Sequence, residues 1–315
     1  MDKPLPILYR NEYNMGFMGV QRLHPFDSEK FGKIKRYLMT HAGLEPSSFV
    51  RPDQAISEAE LLIVHTKAYL ESLKKSSTVA RIAELKLLAF SPNLLLRKFF
   101  LAPMRYATFG TIKASELALE RGWAINLSGG YHHAKRVDGD GFCFYADIPL
   151  AIRKLREKNN SLKALVIDLD AHQGNGIEDY FKDDKNSFIM DVYNREIYPE
   201  DEPMKAHIDF HFPVASGTGD NDYLSLLETN VPHAIRSSGP DIIFYNAGTD
   251  ILDGDPLGKM NITDNGIVKR DEIVFKAAMD AKIPIVMVLS GGYTKRSGFV
   301  IGRSVTNLLK TVLPR

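Results

Sequence analysis

Short apolar runs alternate with longer amphipathic stretches through the second half of the chain. Strands separated by helices of this length predict an α/β fold, in which helices pack on both faces of a mainly parallel sheet. No linker rich in Pro, Gly or Ser and no internal repeat interrupts this order, so we expect a single domain over residues 1–315. The apolar runs lie at 164–169, 187–192, 241–246 and 284–289, and the helical patterns near 148–158, 222–237, 270–281 and 298–312.

The first half of the chain is predicted to be mainly helical. Asp27 is the expected N-cap of a helix from about 28 to 40. Ser57 and Glu60 have the spacing of a capping box, which predicts a helix running to about Leu73. The other predicted elements are a short strand at 5–9, an irregular helical region at 76–103, a helix at 111–121 and a strand at 123–127.

Polar or glycine-rich segments follow the predicted strands of the sheet. Because the carboxyl ends of parallel strands meet at one edge, and ligands of such sheets bind there, we expect these segments to form one site. The segments are Ser128–His133, Asp170–His172, Asp191, Asn246–Asp250 and Ser290–Tyr293.

The run Asp168-Leu169-Asp170-Ala171-His172 carries the strongest indication of a metal site. If the strand stays extended, its two-residue period places Asp168, Asp170 and His172 on one face. The alternative is that the aspartates cap the following helix and His172 bonds a backbone carbonyl. Asp170, His172 and Asp250 would give a divalent ion three protein ligands and leave a position open, as in catalytic sites. Nitrogen and oxygen ligands suit zinc, with iron and manganese as alternatives.

His132, His133 and Tyr293 are candidates for the chemistry beside such a metal. Imidazole has a pKa near working pH and can act as a general base, and Asp168 is placed to orient one of the two rings. The phenol of Tyr293, which follows a glycine pair, can donate to a developing oxyanion. Ordinary packing is the alternative for one of the histidines and for Tyr293.

The other histidines and the cysteine fit structural roles. Residues 207–212 repeat the His-x-Asp-x-His spacing, but their alternating apolar side chains predict a half-buried strand with a polar outer face. Cys143 lies between two aromatic residues without a basic neighbour, so we expect buried packing rather than a nucleophile. His24, His41, His65 and His233 are expected at the surface or in helix contacts.

Composition narrows the function classes. In 315 residues, 40 Lys and Arg face 39 Asp and Glu, and a net charge of +1 creates no field that would recruit nucleic acid. A single cysteine excludes an intrachain disulfide and fits a reducing compartment. The first residues lack the apolar core of a signal peptide, and the apolar stretch 87–103 contains Pro92, Arg97 and Lys98, so we expect a cytoplasmic protein without a membrane span.

Several separated segments resemble one known family as a set and in the same order. They are Gly129–Ala134, Gly141–Cys143, Asp168–Gly176, Asn246–Asp250 and Gly291–Tyr293. From about Asn14 to Leu309 the chain resembles the zinc-dependent histone deacetylase family. Three further segments, Asp191–Arg195, Ile197–Pro199 and Gly266–Glu272, are similar to its class IV branch in particular.

This resemblance implies the three-layer arginase/deacetylase fold and zinc-dependent hydrolysis of Nε-acyl-lysine in a peptide or protein. Asp170, His172 and Asp250 would hold zinc. His133 would act as general base on the nucleophilic water and then as acid toward the leaving amine. Two further roles are implied. His132, held by Asp168, would be the electrostatic partner of His133, and Tyr293 would be a donor that shares the oxyanion with zinc.

The resemblance also implies a substrate tunnel and a second ion. Gly130, Gly141, Phe142 and Tyr198 would line the tunnel that holds the acyl-lysine stem. A monovalent cation site, often filled by potassium, would use the backbone around Asp168, Asp170, His172 and Val192 with the Asp191 side chain. Class IV similarity further implies a preference for long fatty acyl chains, and Phe17, Met18 and residues 87–103 are candidates for a groove that accepts the chain.

The chain departs from the better-known branches at two positions. Asn175 stands where a carboxylate usually partners the second histidine, and Gln173 replaces a further histidine. An amide stabilises an imidazolium less than a carboxylate does, so His133 is expected to be less basic. The substitution Asn175→Asp is accordingly expected to raise the acidic limb of the pH–rate profile.

Three other functions compete with this one. A binuclear manganese ureohydrolase resembling arginase needs further carboxylates where this chain has Gly174 and Leu252, so only one metal is supported. A deacylase of acetylated polyamines or another small amide uses the same site and stays open. A catalytically silent acyl-lysine binder would be expected to lack Tyr293 or a metal ligand, and the chain has all of them.

Overall fold

The fold is built on a parallel sheet. The computed structural model describes residues 3–15, 27 and 29–314, and the sheet within them has eight strands in the order β2-β1-β3-β8-β7-β4-β5-β6. The strands are β1 (Leu5–Leu8), β2 (Phe49–Val50), β3 (Trp123–Asn126), β4 (Ala164–Asp168), β5 (Ser187–Asn194), β6 (Phe210–Val214), β7 (Ile242–Asn246) and β8 (Ile285–Val288). Every neighbouring pair is parallel.

Helices cover the sheet as two separate sets. One set consists of α1, α12, α11 and α10, which contact one another in that order, and the other of α6, α7 and α8. The predicted α/β fold with a helix layer on each face is confirmed. The helices are α1 (Lys30–His41), α2 (Glu58–Leu61), α3 (Lys67–Ser72), α4 (Ser76–Ile82), α5 (Asn93–Leu96), α6 (Ala102–Arg121), α7 (Asp147–Arg156), α8 (Asn175–Phe181), α9 (Glu202–Lys205), α10 (Asp220–Ser238), α11 (Asp264–Ala281) and α12 (Ser297–Thr311).

The central strands form the core of the molecule. Every residue of β3, β4, β7 and β8 is buried. Parallel strands covered on both faces read as continuous apolar runs rather than as an alternating pattern, which is why the sequence marks them so clearly. Within the described residues, no helix has the length and the apolar composition needed to cross a membrane.

The helix predicted from Ser57 to about Leu73 is wrong beyond its first turn. The capping box is present, with Ser57 N donating to Glu60 Oε2 at 2.9 Å and Glu60 N donating to Ser57 Oγ at 3.2 Å. The helix nevertheless ends at Leu61, and α3 begins after a new N-cap, Thr66. Thr66 N donates to the carbonyl of Arg136 at 3.0 Å, so a contact with a distant loop breaks the helix.

Other boundaries also differ from the prediction. Glu29, not Asp27, is the N-cap of α1, while Asp27 Oδ1 accepts from Glu29 N at 3.1 Å just outside the helix. The helix predicted from residue 111 begins at Ala102, with Pro103 in its first turn, where a missing N–H costs nothing. Residues 76–103 are irregular as predicted, and they include a π-helical turn at Arg97–Leu101.

The side chains expected to be structural have ordinary partners. His65 is buried rather than exposed, bonded through Nδ1 to the Lys135 carbonyl at 3.0 Å and through Nε2 to Ala146 N at 3.0 Å. His211 Nε2 lies 2.9 Å from the hydroxyl of Tyr193. Cys143 is buried. His24, Phe17 and Met18 lie outside the described residues.

Candidate active site

Four neighbouring strands bring the candidate residues to one edge of the sheet. Because β3, β8, β7 and β4 are adjacent and parallel, the segments after their carboxyl ends emerge side by side. His132 and His133 follow β3, Asp170 and His172 follow β4, Asp250 follows β7, and Tyr293 follows β8.

Asp170, His172 and Asp250 converge on one buried point. Their ligand-type atoms all lie within 4.8 Å of one another. His172 Nδ1 is 3.0 Å from Asp170 Oδ1 and 2.9 Å from Asp250 Oδ2. Asp168 does not join them, because β4 ends at Asp168 and the chain then turns, so the extended two-residue period does not continue to His172. Among the described residues this is the one group of its kind.

The charges of this group fit a divalent cation. Burial disfavours the charged form of His172, but hydrogen bonds to Asp170 and Asp250 outweigh it and raise the pKa of His172 to about 10. Burial and the neighbouring Asp170 raise the pKa of Asp250 to about 7. Two carboxylates this close hold a proton on the imidazole, and a divalent cation can take the place of that proton.

Gly291 is fitted closely against the acidic group. Its N–H donates to Asp170 Oδ2 at 2.9 Å. A Cβ atom added there would lie 2.5 Å from Asp250 Oδ2 and 2.7 Å from Asp170 Oδ2. Any other residue would displace the two carboxylates. A glycine at this position after β8 is therefore needed to keep the arrangement of Asp170, His172 and Asp250.

The two adjacent histidines bond to different kinds of partner. His132 Nδ1 lies 2.9 Å from Asp168 Oδ2, and Asp168 Oδ1 accepts from Asn246 Nδ2 at 2.8 Å. His133 Nδ1 lies 2.9 Å from the amide oxygen of Asn175. His132 therefore faces a carboxylate, whereas His133 faces a neutral amide.

These partners move the two pKa values in opposite directions. Burial lowers the pKa of His132, but Asp168 and Asp170 outweigh it and raise that pKa to about 9. Burial, together with the neighbouring His132 and His172, lowers the pKa of His133 well below its ordinary value. The arrangement favours a charged His132 beside a neutral His133, which is the protonation state a general base requires.

Tyr293 lies beside the group formed by Asp170, His172 and Asp250. Its ring is perpendicular to that of His172, with centroids 6.4 Å apart, and its backbone N–H donates to Asp255 Oδ2 at 2.8 Å. Burial, with Asp250 and Asp170 nearby, raises the pKa of Tyr293 well above its ordinary value. The phenol stays protonated at neutral pH, the form in which it can donate a hydrogen bond.

The predicted tunnel residues surround His133. The rings of His133 and Tyr198 lie 5.2 Å apart. Gly141 has a φ of +48°, and a Cβ atom added there would lie 2.5 Å from Cδ2 of His133. Phe142 follows with a φ of 63°, the left-handed region that most residues avoid. The glycine thus allows the loop to pass directly against the imidazole.

Two cavities meet at these residues. The outer one, of about 500 Å³, is lined by His133, His172 and Tyr293. Glu84, Glu196 and Glu200, together with Lys259, form its mainly acidic edge. The inner one, of about 40 Å³, shares His133 and Tyr293 with the outer one. Its lining also includes Gly130 and the apolar residues Met15, Phe31, Met104 and Cys143. None of the residues 87–103 lines the inner cavity, and several of them line a separate surface groove.

Asp191 and Val192, predicted to hold a monovalent cation, are both buried within β5, which continues past them to Asn194. Asp191 Oδ2 accepts from Gly174 N at 2.9 Å, whereas its Oδ1 is buried with no hydrogen-bond donor among the described residues. Burial, with Asp168 and Glu178 nearby, raises the pKa of Asp191 well above its ordinary value. Asp191 faces the carboxyl of Glu178, and this buried pair can be satisfied by a cation or by a proton shared between the two groups.

Three buried charged residues that hold the site in place were missed at the sequence level. Lys30 Nζ donates to the carbonyls of Ser290 and Gly291 at 2.9 and 3.0 Å. Asp147 accepts from the N–H groups of Gly130 and Tyr131, each at 2.9 Å. Arg270 donates to the carbonyls of Ala247 and Gly248. Each lies in a helix where a charged residue looks like part of the solvated face, and only Arg270 belongs to a segment singled out by resemblance.

Comparisons with known proteins agree with this geometry. The sequence matches the family model described as the histone deacetylase domain over residues 24–312. Histone deacetylase 2 of Arabidopsis thaliana is 47% identical over 302 residues, which cover 96% of this chain and 78% of that protein. Histone deacetylase 8 of Xenopus laevis is 26% identical over 291 residues, covering 83% of this chain and 85% of that protein.

A solved structure supports the same fold. The crystal structure of the HDA15 HD domain superposes with a TM-score of 0.77 at 20% identity, and the match covers 98% of this chain and 89% of that one. The predicted three-layer arginase/deacetylase arrangement is confirmed. Because the family model spans most of the chain and the Arabidopsis relative is 47% identical to it, the chain belongs to the histone deacetylase family of metal-dependent amidohydrolases.

Proposed function

We propose that this protein, as one catalytic domain, hydrolyses the amide bond of Nε-acyl-lysine in peptides or proteins, with His133 as general base and Tyr293 as oxyanion donor. The observation that carries the proposal is the meeting of His133, His172 and Tyr293 in one cavity. Behind it, His133 is bonded to Asn175 and His172 to Asp170 and Asp250. Histone deacetylase-type hydrolysis is supported at the family level, and the residue roles are our extension of it.

Zinc is the metal we propose for Asp170, His172 and Asp250, with iron as the alternative. When bound there, a divalent ion supplies Lewis acidity toward water and the acyl carbonyl. His133 receives the proton of the attacking water at Nε2, while its Nδ1 stays bonded to Asn175. It then delivers that proton to the lysine Nζ as the amide bond breaks, so that the acid and the free amine are the products.

The remaining side chains stabilise charge and position the substrate. His132, charged because Asp168 faces its Nδ1, opposes protonation of its neighbour in the resting state. The Tyr293 hydroxyl donates to the oxygen that gains negative charge. Gly141, Phe142 and Tyr198 lie along the lysine stem. A monovalent ion such as potassium at Asp191 would offset the buried carboxylates behind the site.

We further propose that the protein belongs to the class IV branch and favours long fatty acyl groups. Beyond His132, His133, Asp170 and Ser290 the inner cavity is mainly apolar. Two of its lining residues, Met15 and Met104, are flexible thioethers that repack readily. At about 40 Å³ the cavity holds only a few atoms, so a long chain has to displace these methionines.

One comparison of substrates tests these proposals. Hydrolysis rates are measured on a single peptide whose lysine carries an acetyl, octanoyl or myristoyl group, with and without a chelator. We expect chelator-sensitive turnover that is fastest on the long chains. Turnover that survives the chelator would contradict the metal mechanism, and an acetyl preference would contradict the class IV proposal alone. His133→Ala is expected to lose nearly all turnover while the metal stays bound.

A deacylase of acetylated polyamines is the second candidate. The acidic edge formed by Glu84, Glu196 and Glu200 would attract a polycation as well as a lysine-rich peptide. An acetylated diamine hydrolysed with a higher kcat/KM than every acyl-peptide would favour this candidate.

The single buried Cys143 supports a reducing, cytoplasmic compartment for either substrate.

A further inference from the structure

The hydrogen bond from His133 to Asn175 continues to a second carboxylate. Asn175 Nδ2 donates to Asp201 Oδ2 at 3.1 Å. Lys135 Nζ donates to the same oxygen at 2.8 Å. Asn175 thus lies between an imidazole on one side and an anion on the other, in the order His133, Asn175, Asp201, Lys135.

Gln173 fixes the backbone of Asp201. Its side-chain oxygen accepts from Asp201 N at 3.0 Å, and its Nε2 donates to the Asp201 carbonyl at 3.1 Å. The same Nε2 donates to Glu178 Oε2 at 2.6 Å, which fixes the direction of the Gln173 amide. Asp201 is therefore held on both its backbone and its side chain, although it lies in the loop that follows Tyr198.

Asp201 stays ionised at neutral pH. Burial works against its charged form, but the hydrogen bonds from Lys135 and Asn175 outweigh burial and hold the pKa of Asp201 below its ordinary value. A carboxylate can only accept hydrogen bonds. It therefore selects the NH2 end of the Asn175 amide, and the amide oxygen is left facing His133.

The direction of the Asn175 amide decides which nitrogen of His133 carries the proton. An amide oxygen only accepts, so Nδ1 must be the protonated nitrogen and Nε2 keeps a free lone pair. If the amide rotated by half a turn, its NH2 group would face Nδ1, and the proton would move to Nε2. A neutral imidazole in that tautomer has no lone pair at Nε2 and cannot accept a proton there.

We propose that Asp201, held by Lys135 and Gln173, is a positioning residue that fixes the Asn175 amide and through it the base-competent tautomer of His133. The inference rests on the proposed role of His133 as general base. Hydrogen bonds to charged groups shift an equilibrium roughly 10- to 100-fold, so loss of the Asp201 charge releases the amide into both orientations. The Asp201 carboxylate thus determines the tautomer of His133 through the Asn175 amide, without contacting the imidazole directly.

The first test compares two isosteric substitutions. Asp201→Asn is made together with Lys135→Met in this and the following variants, because Lys135 donates to the same oxygen and would hold the new amide with its oxygen toward Asn175. Position 201 can then present either an oxygen or an NH2 group to Asn175, so it no longer selects one orientation. The matched control is Asp179→Asn with Lys182→Met. The Asp179–Lys182 pair has a similar length, 2.9 against 2.8 Å, and its carboxylate is similarly exposed, 23% against 20%. Equal populations of the two orientations leave half of the enzyme with the base-competent tautomer. We therefore expect kcat to fall about 2-fold relative to Lys135→Met alone, with KM and metal content unchanged, and to stay at the wild-type value in the control.

The second test exchanges the amide and the carboxylate. In the variant Asn175→Asp/Asp201→Asn, a carboxylate faces Nδ1 of His133 directly and the new amide can donate to that carboxylate. We expect this double variant to recover most of the lost kcat, with its acidic limb at higher pH. In Asn175→Asp alone, two carboxylates meet where Asn175 Nδ2 and Asp201 Oδ2 are now 3.1 Å apart. Their repulsion should lower kcat below that of the double variant.

Nitrogen NMR of histidine-labelled enzyme reads the tautomer without turnover. The His133 resonances, assigned by their loss in His133→Ala, should indicate a protonated Nδ1 in the wild type and a mixture of tautomers in Asp201→Asn. Wild-type kcat and tautomer in Asp201→Asn would overturn the inference while leaving His133 as base. Full turnover in His133→Ala would instead overturn the proposed function.

Discussion

The imidazole rings of His132 and His133 lie 4.1 Å apart, yet Nδ1 of one faces the Asp168 carboxylate and Nδ1 of the other faces the Asn175 amide. Two imidazoles this close do not readily carry a charge each, because each cation disfavours the other. The carboxylate places the charge on His132. The two rings therefore have different roles: His132 is a permanent cation, and His133 is a neutral base.

The pH–rate profile follows from this division. Because the pKa of His132 is raised to about 9 and that of His133 is lowered well below 6.5, the active state exists between the two values. As pH falls through the lowered pKa, His133 gains a proton and the rate falls. As pH rises through the raised pKa, His132 loses its proton and the rate falls again. A plot of kcat against pH for metal-saturated enzyme checks both limbs.

Asp168→Asn tests whether the alkaline limb of that profile belongs to His132. It removes the carboxylate that raises the pKa of His132, so the alkaline limb should move to lower pH. An alkaline limb that stays in place would assign it to a group other than His132.

Tyr293→Phe tests the oxyanion donor. Removing one such donor costs about 10²- to 10³-fold in kcat, because the lost hydrogen bond exists mainly in the transition state. We expect KM and metal content to stay near the wild-type values. Steady-state kinetics and metal analysis measure all three, and a rise in KM with unchanged kcat would argue that Tyr293 only binds substrate.

Metal binding should weaken as pH falls. The pKa of His172 is raised to about 10 by Asp170 and Asp250 against the effect of burial, so a cation must displace a proton from Nδ1. Affinity should fall about 10-fold for each unit of pH lost, as measured by competition with a chelating dye. Asp250→Asn should lose the metal, while the exposed neighbour Asp253→Asn should keep it. Equal retention in both would exclude Asp250 as a ligand.

The sequence predicts elements whose cause is local or repeated. The runs at 164–169 and 241–246 are apolar because both faces of the strand are covered, and such burial leaves a continuous signal. The Ser57–Glu60 capping box forms as predicted because all its partners lie within one turn. Polar residues directly after buried strands are equally easy to recognise, which is why the ligand-type group could be proposed.

Elements that depend on distant contacts could not be predicted. The break before Thr66 arises from its bond to the Arg136 carbonyl, which no local pattern encodes. Asp201 lies in a segment of ordinary acidic composition, and its connection to Asn175 exists only once β5 and α8 have packed. Lys30 and Arg270 are fully buried, but in sequence each looks like one more charge on an amphipathic helix.

Arg270 should be essential to stability. It is fully buried with Asp271 and donates to the carbonyls of Ala247 and Gly248, directly before the Asp250 loop. Arg270→Met leaves the buried Asp271 carboxylate bonded to the hydroxyls of Tyr245 and Ser304 but without its cation, so the free energy of unfolding should fall by about 3–5 kcal/mol. Lys74→Met removes an exposed pair with Glu71 that solvent screens, so it should leave the free energy of unfolding nearly unchanged. Urea denaturation of both variants measures the difference, and similar losses would contradict the prediction.

Gly141→Ala separates backbone strain from contact with the base. Gly141 and Gly239 have nearly the same φ, +48° and +52°, but an added Cβ would lie 2.5 Å from His133 Cδ2 at Gly141 and would meet nothing within 4 Å at Gly239. Alanine at either position costs about 1–2 kcal/mol of backbone strain, and Gly141→Ala should lose more stability than that because its Cβ also displaces a buried ring. Only Gly141→Ala pushes the imidazole away from its Asn175 contact, and its kcat should fall about 10- to 100-fold, since a small displacement at a reacting group costs up to that much. Equal activity in the two variants, measured at a temperature where both are folded, would show that the approach of Gly141 to His133 does not set the position of the base.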